Sequence, residues 1–108
     1  MFKLLFTTQA SQDFDLLAND PSLHKRFKAV RKALGYLERN PPYPGLNTHK
    51  YSSLQGPSGE EVFEAYAENN TPVAYRIFWY YGPNKEQFTI IAIPLIHDQI
   101  TNKIGHLL

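Results

Sequence analysis

Two strand-like runs separated by one turn, VAYRIFWYY at residues 73–81 and FTIIAI at 88–93, constrain this chain more than any other feature. Both are dense in β-branched and aromatic residues, which fit a pleated, buried surface. Between them, Gly82, Pro83, Asn84 and Lys85 carry hairpin turn chemistry: Gly tolerates positive φ, and Pro presets its own. The second run continues through Pro94 into His97 and Asp98, so the hairpin delivers a titratable ring to the end of a buried strand. Any fold assigned to the chain has to accommodate this hairpin.

With 108 residues and 43% hydrophobic composition, the chain is long and apolar enough for one domain, residues 1–108, with a single core. It has no cysteine, which excludes a disulfide framework and a thiolate metal site. The N-terminal stretch holds Phe2, Leu4, Leu5 and Phe6 with one basic residue before turning polar, too short for a signal peptide or a membrane span. A soluble protein of the cytoplasm with no membrane partner is expected.

Charge is unevenly distributed. Residues 1–50 hold eight Lys or Arg against four Asp or Glu, whereas residues 51–108 hold three against six, so +4 and −3 make up the net +1. Much of the positive charge sits on one helix. Leu23, Phe27, Val30, Leu34 and Leu37 recur at steps of 4, 3, 4 and 3, the apolar stripe of a helix running to about Arg39 and spanning roughly 28 Å. Lys25, Arg26, Lys28, Arg31 and Lys32 fill its other faces, with Glu38 as the sole acid. Such a face is either a solvated surface or, with Lys50, a nucleic-acid contact.

The rest of the chain supplies further elements. Residues 2–6 read as a first strand, followed by a helix with Ala10, Phe14 and Leu17 on one face and Asp13 and Asp15 in its first turns, favoured there by the dipole. Asp20 caps and Pro21 opens the second helix. The Pro-rich stretch 40–45 leads away from it, residues 49–55 form a short edge strand, and 56–59 make a tight turn. In residues 61–68, Phe63, Ala65 and Ala67 alternate with Val62, Glu64, Tyr66 and Glu68, as in a half-buried strand with the second set facing solvent. Ile100, Ile104 and Leu107 suggest a short terminal helix. The order predicts an α+β fold: a helical hairpin packed on a twisted, mainly antiparallel sheet of four to five strands.

No metal and no cofactor are expected. The four histidines, His24, His49, His97 and His106, lack ligand spacing, and no phosphate loop or nucleophile elbow is present. The usable groups on the sheet are Glu64, Tyr66, Arg76, Tyr80 and His97. These are suitable types for RNA cleavage by 2′-hydroxyl attack, which needs a base, an acid and a cation. The plainer expectation for Glu64 and Arg76 is a structural cross-strand ion pair.

The chain resembles the RelE/ParE superfamily of bacterial type II toxin–antitoxin toxins. The resemblance rests on the first strand with Ala10, Asp13 and Phe14, the basic helix ending at Asn40 and Pro41, the Leu54-Gln55-Gly56 turn, the strand from Val62 to Tyr66, and the two hairpin strands before His97. It implies a cytoplasmic toxin held by a cognate antitoxin in a hetero-oligomer. In the ribonuclease branch it further implies an mRNA endoribonuclease that inhibits translation on the ribosome. There His97 would be general acid or base, Glu64 base or positioning group, Tyr66 orienting and Arg76 charge-stabilising. Where the family motif carries an arginine three residues before the strand tyrosine, this chain has Pro72. The ParE-like branch implies DNA gyrase as the target instead, without catalysis, and an inactive homologue would keep only antitoxin binding.

Overall fold

The computed structural model describes residues 1–68 and 75–94. The chain runs β1 (Lys3–Phe6), α1 (Thr8–Asn19), α2 (His24–Arg39), β2 (His49–Gln55), β3 (Glu61–Glu68), β4 (Tyr75–Tyr81) and β5 (Gln87–Ala92). The strands form one sheet of order β1-β5-β4-β3-β2, antiparallel except for the parallel β1–β5 pair. Two helices on one face of a mainly antiparallel five-stranded sheet match the expected α+β architecture. The terminal helix expected over 99–108 and the first two residues of the 73–81 run lie outside the described residues.

The hairpin that dominates the sequence is interior to the sheet, which is why its strands read as nearly continuous apolar runs rather than alternating ones. Gly82 takes φ 120, as the turn requires, and its carbonyl accepts from Thr89 Oγ1 at 2.9 Å. One face of the sheet packs against the helices: Ala65, Ile77, Trp79, Phe88 and Ile90 meet Ala10, Leu17, Val30, Leu34 and Leu37. The opposite face carries its own buried cluster of Val62, Phe78, Tyr80, Ile91 and Ala92, with Tyr51 and Leu54 of β2 against it. This overturns the expectation of a solvent-facing second set on β3, because Val62 and Glu64 are both buried.

Helix α1 starts earlier than the apolar spacing indicates, with Thr7 as N-cap accepting from Ala10 N at 3.0 Å and donating to Ile91 O at 2.6 Å. Asp13 therefore falls in the second turn, beyond the dipole's reach, and serves a different purpose. It is buried, and its Oδ2 accepts from Ile93 N at 2.9 Å while Oδ1 accepts from Gln9 Nε2 at 2.8 Å. The helix thereby fixes the chain just beyond β5. Asp13→Ala strands a buried N–H and should cost about 1–3 kcal/mol in urea unfolding, with Asp13→Asn losing less. Helix α2 is preceded by a 3-10 turn, Pro21–Leu23, capped by Asp20, whose carboxyl is held below its usual range by the Ser22 hydroxyl and then the Ser22 N–H.

Candidate functional site

On the sheet face away from the helices, three side chains converge on one buried carboxylate. His49 stands directly opposite Glu64 across the β2–β3 ladder, with its Nε2 2.7 Å from Glu64 Oε1. Two residues along β3, Tyr66 shares that face and its hydroxyl donates to the same oxygen at 3.2 Å. Arg76 is the cross-strand partner of Tyr66 and places Nη1 3.7 Å from Glu64 Oε2. That oxygen accepts no hydrogen bond, so the guanidinium meets it as a charge. The ring of Tyr66 lies beneath the guanidinium at 5.2 Å and meets His49 edge-on at 5.5 Å.

Exposure divides the roles. The Glu64 side chain is 5% exposed, against 50% for His49 and 22% for Arg76. A substrate therefore meets the imidazole and the guanidinium, while the carboxylate behind them orients both. His49 Nδ1 is 3.2 Å from the carbonyl of Asn47, which adopts the left-handed conformation (φ 48). Both ring nitrogens thus face oxygens. Burial, and next the Glu64 carboxylate, push the Tyr66 phenol above its ordinary value, keeping it a hydroxyl donor at neutral pH.

Of the residues singled out from sequence, Glu64, Tyr66 and Arg76 come together here, whereas His97 and Pro72 lie outside the described residues. The basic residues lie elsewhere. Lys25, Lys28, Arg31 and Lys32 are exposed on α2, in the layer across the sheet from the cluster. Arg26 turns back over the Tyr75 ring at 4.1 Å, and Lys50 pairs with Glu61 at 3.1 Å, both partners exposed. Among the described residues, no three His, Asp or Glu are grouped so as to hold a metal.

His49 was not among the sequence-derived candidates, and its register explains why. A regular ladder continued from Gln55 opposite Glu61 would put His49 opposite Ala67, on the helix-packed face. The irregularity between Lys50 and Gln55 shifts the pairing by an odd number of residues and turns His49 onto the face of Glu64. Asn47, a residue that tolerates the left-handed conformation two positions before the histidine, is the one local signal.

The topology defines a RelE/YoeB-like fold, as the resemblance implied. Among solved structures, the chain is similar to the YoeB dimer from Staphylococcus aureus. The match has a TM-score of 0.57 at 15% identity and covers 89% of this chain and 98% of that one, a likeness of fold. No protein-family model and no curated protein matches the chain.

Proposed function

We propose that the chain is a RelE-like toxin of a type II toxin–antitoxin system that cleaves mRNA on the ribosome. The observation that carries this reading is the convergence of His49, Tyr66 and Arg76 on buried Glu64, on the sheet face away from α1 and α2 in a RelE/YoeB-like fold. In cleavage by 2′-hydroxyl attack, the 2′-oxygen bonds to phosphorus and the bond from phosphorus to the 5′-oxygen breaks. One proton leaves the 2′-hydroxyl and another reaches the departing oxygen. His49 supplies the second proton from Nδ1, whose long bond to Asn47 is the one a substrate displaces. Arg76 offsets the charge that gathers on the phosphorane.

Glu64 acts as a positioning residue, a role its burial and its bonds to His49 and Tyr66 support over that of a base. His97, beyond the end of β5, is assigned the first proton. The partners are a cognate antitoxin, forming a hetero-oligomer, and the ribosome with its mRNA in the cytoplasm. Gyrase binding, or an inactive homologue, gives no role to an accessible imidazole and guanidinium held by one buried carboxylate.

Toeprinting on programmed ribosomes tests the assignment. Wild-type protein should truncate the transcript at the A site, and His49→Gln and His97→Ala should each slow this by about 10²- to 10⁴-fold. Intact mRNA at stoichiometric wild-type protein would refute the activity. Truncation unaffected by both substitutions would refute the site.

A further inference from the structure

A cleft of about 340 Å³ lies between the Pro-rich stretch that follows α2 and the strands β3 and β4. Prolines of that stretch line it from the loop, and Phe63, Trp79 and Tyr81 line it from the sheet, together with Thr48. Phe63 and Trp79 belong to the helix-packed core, so the sheet separates this cleft from the Glu64 cluster. Two of the lining side chains bury a polar atom without a partner. The Trp79 indole Nε1 and the Thr48 hydroxyl form no hydrogen bond among the described residues. A buried tryptophan N–H is ordinarily paired, because leaving it unpaired costs stability. Two such atoms on the side chains of one cleft call for a common explanation.

We propose that this cleft binds a small, uncharged, flat lactam, whose carbonyl accepts from Trp79 Nε1 and whose N–H donates to Thr48 Oγ1. The chemistry of the lining selects that class. An indole N–H only donates, so the ligand has to bring an acceptor, and a hydroxyl serves the adjoining N–H. No lining residue is charged, so an anion or a cation would give up water here without meeting a counter-ion. Aromatic rings and prolines supply flat apolar faces for a ring system. The volume is at the lower end of the range for small-molecule sites, which suits one fused-ring molecule rather than a run of peptide. A nucleobase shares the lactam edge, but its phosphate would find no cation among these residues. Tyr81, 46% exposed and edge-on to the indole at 4.9 Å, is the ring that turns outward to admit the ligand.

Trp79 is the one tryptophan of the chain, so its indole gives a single cross-peak in a proton–nitrogen correlation spectrum. Titration with 2-quinolone should move that peak downfield, whereas naphthalene, of the same shape but without the amide, should not. Thr48→Val keeps the side-chain shape and loses the hydroxyl. It should weaken 2-quinolone about tenfold and leave the weaker binding of N-methyl-2-quinolone unchanged. Its melting temperature should stay at or above that of wild type, because the hydroxyl has no partner to lose. An indole peak that 2-quinolone does not move, or that naphthalene moves equally, would overturn the site. Undiminished 2-quinolone binding by Thr48→Val would overturn the lactam edge, and equal binding of quinoline-2-carboxylate would overturn the neutral ligand. Tighter binding of uridine 5′-monophosphate or of decaproline would give the cleft to a nucleotide or a peptide and overturn the small lactam. No RNA cleavage enters these readouts, so their outcome stands apart from that of the nuclease assignment.

Discussion

Glu64→Gln is expected to lower ribosome-dependent cleavage by about 10²- to 10⁴-fold while the protein stays folded. Glutamine keeps the volume and an acceptor for the Tyr66 hydroxyl, so packing on this sheet face is conserved. What it removes is the negative charge that faces His49 at 2.7 Å and Arg76 at 3.7 Å. Both retain access to solvent and can be hydrated there, which limits the stability cost. Their placement is lost, however: the imidazole no longer has a carboxylate to hold it oriented, and the guanidinium is no longer drawn to the reacting phosphate's position. Single-turnover cleavage read beside circular dichroism separates this from a folding defect. The variant should cleave slowly at saturating protein while keeping the wild-type circular dichroism spectrum. A variant that cleaves at wild-type rates would remove Glu64 from the site.

Trp79→Ala is expected to cost about 3–5 kcal/mol, a large part of the stability of a domain this size. Trp79 is 1% exposed on the helix-packed face and sits among Phe63, Tyr81 and Phe88, with ring centres at 4.9, 4.9 and 4.6 Å. Phe2 in turn stacks on Phe88 at 4.3 Å, which ties the N-terminal strand to the same group. Truncating the indole removes the largest buried side chain and leaves its neighbours without a common partner. Urea unfolding should show a lower midpoint with the slope retained. A loss below about 1 kcal/mol would mean that the aromatic group is not the centre of the core.

The fold was legible because the signals that specify it are local. The 4-3-4-3 stripe of α2, the turn residues between β4 and β5 and the alternation in β3 each name an element without tertiary knowledge. Glu64, Tyr66 and Arg76 were legible for a related reason: β3 and β4 pair in near-regular register, so period 2 alone puts the three on one face. His49 was hidden because its facing depends on an irregular ladder, which no periodicity in β2 reveals. The burial of Glu64 was hidden too, since two of the side chains that stand against it, His49 and Arg76, come from the neighbouring strands β2 and β4. Asp13 read as a dipole carboxylate until its partner, the Ile93 amide 80 residues away in sequence, was in place.

The most direct test of the central claim is the chemistry of the cut ends. Transcripts cleaved on programmed ribosomes by wild-type protein should carry 2′,3′-cyclic phosphates, and a single 2′-deoxy substitution at the scissile nucleotide should abolish cleavage. Fragments ending in a 3′-hydroxyl, or cleavage that persists through the deoxy substitution, would contradict a site built to assist 2′-hydroxyl attack.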